Sequence, residues 1–593
     1  MCGIAGVISK NGEDSVAKVR VMLGCMVHRG PDGAGIVADG RIVKSDSIKS
    51  LDMERLSGRS AIGHTRLAIV GGTCGAQPFR SCDGRFTLEH NGEIYNYKDL
   101  RAGIEQTKAP DGTPRHILHT QTDSELIVHI LEDNFNRINT PNAKSSDVLI
   151  SAIRMTVAVL DGVYAIVVRD EVTGDTVLVR DRLGVRQLYY AQDSSLVAFA
   201  SERKALWKIG ISEPTQRVMP CEAVLISEDG AIERYEVSQP VPPVGKLRYK
   251  TMSGAVSAYK QAFMNSMKKR TQDFDSIGII FSGGIDSVMV AHAAKQLVPS
   301  VVCYTCGIRG SHDTTFARQI AKQLDLDLRV CELDQIQVEN LVPEVLNVIE
   351  DSNSGQVEVA LPVYGAVKLA SVDGVRVMLT GQGADELFGG YSWYSRVAEK
   401  EGYRKLRSHM MQDLLLLYKE TLEREDKITM ANSIELREPF LDPEVIRVAM
   451  ECSLRLNIRD GRDMYGKRVH RNLARALGIP KEIAYRVKEA AQHGSGMHGM
   501  LDAIARKNGF DEHAVTKVYL EALRHREKIG SSQRYGYLFG EKKIWDVEPH
   551  VQMYLDSIAQ KVTPFLAPVN VPHPSAVMPA RAPSARSVTR DKL

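Results

Sequence analysis

No stretch of the chain approaches the ~20 apolar residues of a membrane span, so no membrane partner is expected. No dense run of Lys and Arg occurs either, and the formal net charge is only +3. Nothing therefore asks for nucleic acid or an anionic surface. The start lacks a basic region followed by a long apolar segment, so no secretory signal is expected. Nine cysteines lie scattered without a framework pattern, as in a reduced, cytoplasmic protein. One CxxC occurs, Cys303 to Cys306 in "VVCYTCGI", but no second ligand pair accompanies it, and the surrounding apolar run reads as a buried strand. A Walker loop is also missing, which argues against transfer of a γ-phosphate.

What is present is an ordinary globular composition, 43% hydrophobic and 25% charged over 593 residues, enough for roughly two to four domains. Residues 1–215 hold short β-like runs between Gly, Asp and Asn turns, among them "GIAGVIS", "SAIGHTRLAIV" and "GVYAIVVRD". They predict a layered, largely antiparallel α+β domain. A linker is expected over 216–247, around the Pro- and Val-rich "SQPVPPVGK". Over 248–560 apolar strands alternate with helix-length stretches, which predicts an α/β domain on a parallel sheet. The Pro-, Ala- and Ser-rich end, 561–593, reads as a disordered tail.

The first chemical signal is "MCGIAGVIS". Removal of Met1 would leave Cys2 with a free α-amine, a group that ordinarily titrates at about 7.7–8.0 and is able to take the thiol proton. The second is "IGIIFSGGIDSVMVAHAA", an apolar strand running through a glycine turn into a helix. Such a turn offers backbone N–H donors and the helix dipole to an anion. Ser282 and Ser287 add hydroxyls, and Asp286 a hard oxygen for Mg²⁺. A companion turn, "VRVMLTGQGADELFGGY", should lie at the same sheet edge, where Asp385 would share the metal with Asp286. Alone, each turn is also a common structural link. "HNGEIYN" alone reads as an Asn-Gly hairpin turn.

Together these motifs resemble the glutamine-hydrolysing asparagine synthetases from residue 2 to about 500. "CGIAG", "HRGPDG" (28–33), "RLAIV" (66–70), "NGE" (91–93) and "TDSE" around Asp123 match the family's glutaminase segments. "RDRLGVRQLYY", "SERKAL", "SGGIDS", "GQGADELFGGY", "MANSIELREPFLD" and "YRVKE" follow in the family's order. The resemblance implies an N-terminal-nucleophile glutaminase fold followed by an ATP pyrophosphatase domain. It implies ATP and Mg²⁺ as cofactors and glutamine, ATP and aspartate as small-molecule partners; a homodimer is compatible with the sequence, which does not itself give the oligomeric state. It makes Cys2 the nucleophile, with Asn91 and the Gly92 N–H as its oxyanion hole. Arg66, Leu67, Ala68, Ile69, Val70, Asn91, Gly92, Glu93 and Asp123 would hold glutamine. Arg66 would grip the carboxylate and Asp123 the ammonium. Phe281, Ser282, Gly283, Gly284, Asp286, Ser287, Cys306, Thr380, Gly381, Gln382 and Lys488 would hold ATP and pyrophosphate. Lys467 is a further candidate there, although a lone lysine more often faces solvent.

The activity so implied is ligation: glutamine is hydrolysed at Cys2, and ammonia displaces AMP from β-aspartyl-AMP. Ammonium is no nucleophile, so an enclosed path lined by apolar or neutral residues is expected between the two sites. Two positions depart from the family pattern. Gln382 stands where a glutamate is usual, and an amide cannot accept a proton. In "QVEVALPVY" (356–364), Glu358 stands where an arginine would meet a carboxylate substrate. Two alternatives therefore stay open: the same chemistry on another carboxylate acceptor, and a non-catalytic nucleotide-sensing relative.

Overall fold

The computed structural model describes residues 1–72, 75–109, 111–211, 215–241, 246–463, 465–486, 491–523 and 548–562. Lys488 and, from residue 563, the expected tail lie outside them. Residue contacts divide the chain into two compact units, Met1–Leu333 with Pro362–Ser495, and Asp334–Leu361 with Gly496–Leu593.

Two antiparallel sheets open the first unit. In the seven-stranded sheet the Cys2–Ser9 strand lies between Ser60–Arg66 and Leu196–Ala200. In the six-stranded sheet Phe86–Ile94 pairs with Gly162–Asp170 over their whole length. Alternation along a strand sends successive side chains to opposite faces. Ile4 and Ile8 accordingly join Ala165, Val167 and Leu178 in a core between the sheets. Ala5 and Val7 instead meet Val19, Met22 and Leu23 of the helix Val16–Gly24. On the far side the helices Ser124–Ile138 and Ser145–Val159 cover the six-stranded sheet. The result is a helix–sheet–sheet–helix sandwich, and Cys2, in phase with Ile4, faces its interior.

Two sequence readings need correction. The stretch assigned as linker, 216–247, holds Gln216–Arg217, Glu222–Ile226 and Ile232–Glu236, all paired into the two sheets. "EAVLISEDGAIERYE" is a hairpin whose alternation passes for irregular sequence beside the prolines. Asn91–Gly92 is no turn but the interior of a strand, its register fixed by Asn91↔Ala165 and Gly92↔Tyr164. Nine residues of pairing outweigh the local turn preference of Asn-Gly. Glycine is needed there for close approach, because a Cβ on Gly92 would lie 2.0 Å from the Val163 carbonyl oxygen.

The same unit contains a five-stranded sheet in the order Asp327–Leu333, Ser300–Ile308, Ser276–Ile280, Val377–Leu379, Glu435–Arg437, every pair parallel. Cys303 and Cys306 lie buried within Ser300–Ile308, as the strand reading requires. In the second unit the helices Gln335–Ile349, Met497–Lys507 and Pro549–Val562 pack on one another. There the buried Glu358 lies 3.1 Å from His498 Nδ1. No helix among the described residues is long and apolar enough to cross a membrane.

Candidate functional site

The Cys2 thiol is buried, and burial pushes its pKa up, while the adjacent chain terminus, the Leu67 N–H and Arg66 pull it down. The Cys2 backbone nitrogen donates to Asn91 Oδ1 at 2.9 Å. Once Met1 is removed, this nitrogen becomes the α-amine, already seated against an acceptor. Asn91 Nδ2 is buried and has no hydrogen-bond partner, which leaves this donor free. Arg66 is the cross-strand partner of Cys2. Its Nη2 donates to the Val70 carbonyl at 3.2 Å, and its Nη1 is buried and unpartnered. Asp123 is buried at the start of the helix Ser124–Ile138 and accepts from the Ile94 N–H at 2.9 Å. Leu67, Ala68, Ile69 and Val70 form the irregular segment after Arg66. Leu67 N–H donates to the Met1 carbonyl, and Ala68 N–H to Asp32 Oδ2 at 2.9 Å. Glu93 is buried 3.3 Å from Arg437 Nη2.

No histidine here is suited to take the thiol proton. Burial holds His64 down at about 3 and His90 at about 4, far below the range of an effective base at neutral pH. Met1 itself is buried, packed with Leu67, Ile69 and Met430, its ammonium 3.3 Å from Glu435 Oε2.

The second site is built where two Gly-rich turns touch. Ser276–Ile280 leads through Phe281 and Ser282–Gly284 into the helix Ile285–Ala294. Gly283 adopts φ +69°, open to glycine, and Ser287 Oγ closes the turn on the Gly284 carbonyl at 3.1 Å. Val377–Leu379 leads through Thr380–Gly383 into Ala384–Phe388. A Cβ on Gly381 would lie 2.8 Å from Asp286 Cβ, so only glycine lets the turns meet. Lys467, buried, puts its Nζ 2.7 Å from both Asp286 oxygens and 2.8 Å from Asp385 Oδ1. His470 Nε2 is 3.0 Å from Asp286 Oδ1. Phe281, directly after the Ser276–Ile280 strand, and Cys306, inside the neighbouring Ser300–Ile308 strand, are both buried.

The two carboxylates thus converge on one positive charge, and hard oxygens so placed fit Mg²⁺. Three participants lie beyond the sequence reading. His470 carries no motif. Arg486, inside the recognised "YRVKE", donates from Nη1 to the Gly283 carbonyl at 3.2 Å. The third is Glu425, buried at 1% exposure, whose Oε1 accepts from Gln382 Nε2 at 2.5 Å while its Oε2 has no partner.

The described halves correspond to two known sequence families. The asparagine synthase family matches residues 258–400 and 396–556, and a glutamine amidotransferase domain family matches 64–208. A putative glutamine-hydrolysing asparagine synthetase of Methanocaldococcus jannaschii is 31% identical over 575 residues, covering 89% of this chain and 99% of the relative. The glutamine-hydrolysing asparagine synthetase of Brassica oleracea is 26% identical over 521 residues, covering 84% and 78%. Among solved structures, a glutamine phosphoribosylpyrophosphate amidotransferase from B. subtilis aligns with TM-score 0.33 and 22% identity over 52% of this chain and 67% of that one. With a near full-length relative above thirty per cent identity and a family match over half its length, the chain belongs to the glutamine-hydrolysing asparagine synthetases.

Proposed function

We propose that the chain makes asparagine from aspartate, ATP and glutamine. The observation that carries this reading is the pairing, within one compact unit, of a buried N-terminal thiol site with a two-turn carboxylate site. At the first, Cys2 attacks the glutamine amide after passing its proton to its own amine. Asn91 Nδ2 and the Gly92 N–H meet the oxyanion, Arg66 Nη1 the α-carboxylate, and Asp123 the ammonium. At the second, the SGGIDS turn, Ser282, Ser287 and Lys467 receive the phosphates. Asp286 and Asp385 would hold Mg²⁺, which supplies charge neutralisation on the triphosphate. Ammonia attack forms a C–N bond and breaks the C–O bond to AMP, and one ammonium proton must leave. Gln382 cannot take it; Glu425, held beside it, can. Aspartate-dependent exchange of pyrophosphate into ATP, with AMP as product, tests the reading, and ADP formation would overturn it. A second reading, transfer to a different carboxylate, draws on Glu358, an acid paired with His498 where the family pattern has a substrate-binding arginine. Exchange that ignores aspartate but answers to another carboxylic acid would favour it.

A further inference from the structure

The glutaminase half contains a cluster of metal-type donors that amide transfer leaves unused. Cys82 lies in the turn leading to Phe86–Ile94, and His116 in the irregular segment 111–122. His129 and Glu132 lie one turn apart on the helix Ser124–Ile138. Cys82 Sγ is 3.5 Å from His116 Nδ1 and 3.6 Å from His129 Nδ1. Glu132 Oε2 is 3.5 Å from the first nitrogen and 3.7 Å from the second. All four ligand atoms lie within 4.8 Å of one another.

These separations can be compared with the edges of a coordination polyhedron. A zinc ion with sulfur at about 2.3 Å and nitrogen and oxygen at about 2.0–2.1 Å, at tetrahedral angles, gives S···N edges of about 3.5 Å and N···O edges of about 3.4 Å. We propose that Cys82, His116, His129 and Glu132 form a structural zinc site in the glutaminase half. A hydrogen-bonded thiol accounts for less of the geometry. One S–H can serve one nitrogen, whereas this sulfur stands at equal range of two, and both nitrogens stand at equal range of one carboxylate oxygen. A thiolate and two inward imidazole lone pairs around a cation need no shared proton.

The surroundings are those of a ligand set. His116 and His129 are buried, and His116 Nε2 lies 3.1 Å from Asp133 Oδ1, the carboxylate that commonly backs a ligating histidine. Glu132 is aimed by two backbone donors, Cys82 N–H at 2.9 Å to Oε2 and Asp83 N–H at 3.0 Å to Oε1. One sulfur, two nitrogens and one oxygen at four-coordinate spacing select zinc over magnesium or calcium. Four protein ligands leave no open position, so the ion is structural. It would tie the turn to the helix and to residues 111–122, a stretch that the helix already holds through the Arg115–Asp133 ion pair and through Glu125, which accepts from the His119 and Thr120 N–H groups. Asp123 emerges directly from that segment, so the ion would brace one wall of the glutamine pocket.

The test uses the full chain without a polyhistidine tag, grown with zinc and dialysed before elemental analysis. Close to one zinc per chain is expected, lost in Cys82→Ser and in His129→Gln, with an unchanged far-ultraviolet circular dichroism spectrum as evidence of folding. Cobalt(II) exchanged into the unaltered protein should give a thiolate-to-cobalt charge-transfer band and the strong visible bands of a tetrahedral site. That spectrum decides the matter even where a variant fails to fold. No zinc bound when zinc is supplied, a cobalt spectrum without the thiolate band, or zinc content unchanged by Cys82→Ser would each overturn the site. None of these readouts depends on amide transfer.

Discussion

If Asn91 Nδ2 meets the oxyanion formed on Cys2, then Asn91→Asp removes that donor while keeping an oxygen to receive the Cys2 nitrogen. The side chain is 0% exposed and Nδ2 has no other partner, so water is not positioned to replace it. One donor in an enclosed oxyanion hole contributes about 2.7–4 kcal/mol, a fall of about 10²–10³ in kcat. The carboxylate also sets negative charge against the developing oxyanion, so this range is a lower bound for Asn91→Asp. Because the interaction strengthens only in the transition state, KM for glutamine should change little. Asn91→Ala should lose more, since the Cys2 nitrogen then loses its acceptor as well. The assay is glutamate release, with ammonia-dependent asparagine formation as the control that should stay unchanged. A kcat for Asn91→Asp within about threefold of the unaltered enzyme, where a lost donor implies at least ~10², would refute the assignment.

Cys2→Ala should abolish glutamine-dependent synthesis and spare synthesis from added ammonia; glutamine-dependent turnover in that variant would remove Cys2 from its role. Asp286→Asn should abolish ATP–pyrophosphate exchange without touching glutamate release, and exchange near the original rate would exclude Asp286 as a metal ligand. Glu425→Gln should spare exchange but lower ammonia-dependent turnover by about 10²–10⁴, the usual contribution of a positioned base. Burial raises the Glu425 carboxyl, while Arg424 and Gln382 pull it down and Glu438 lies within its electrostatic reach. A base with raised pKa works above that pKa and fails as pH falls through it. Measured at a fixed concentration of free ammonia, because ammonium is no nucleophile, the acid limb of synthesis should therefore vanish in the variant, and an unchanged limb would count against Glu425. Finally, ¹⁵N-amide glutamine should label the product nearly fully in the presence of moderate unlabelled ammonium; label diluted to the bulk ratio would show that ammonia escapes.

The parts legible in the sequence are those whose chemistry is local. Cys2 is read from its place behind Met1, and the two glycine turns from the strand before and the helix after. The parts that stay hidden are made by distant segments. Lys467 lies 181 positions from the aspartate it joins, and nothing in "YGKRVH" separates it from a solvent-facing lysine. Glu425 is unreadable for the same reason, since only the fold carries it to Gln382. Asn91–Gly92 misleads because dipeptide preference is weak beside nine residues of pairing. The quartet around Cys82 is invisible because its spacing follows no short motif; the turn and the helix bring it together.

The joint between the glutaminase sheets and the parallel sheet explains motifs that in the sequence have only the standing of landmarks. "RDRLGVRQLYY" and the buried helix Glu423–Met430 are two sides of one contact. Asp426 receives Arg29 at 2.8 Å, Arg186 at 3.1 Å and Gln187 at 2.7 Å. Glu423 receives Arg217 and Tyr189, both at 2.9 Å. Buried ion pairs add little net stability, but breaking one is costly, so they define a single arrangement of the parts they join. The expectation of an apolar or neutral passage must be set against this charge. Beside Cys2 the wall is apolar, formed by Leu67, Ile69 and Met430 around the space that Met1 fills. Loss of Met1 opens that space and takes the terminal ammonium from Glu435. Glu435 still keeps Arg437 Nε at 2.6 Å, and Arg437 is foremost among the charges that hold its carboxyl down, ahead of the terminal ammonium itself. Arg437 thus remains as the carboxylate's partner when the terminal ammonium is gone. An ammonia path leaving Cys2 is therefore expected to follow the Leu67, Ile69 and Met430 wall, where no side chain carries a charge to trap ammonium, rather than the charged joint beyond it.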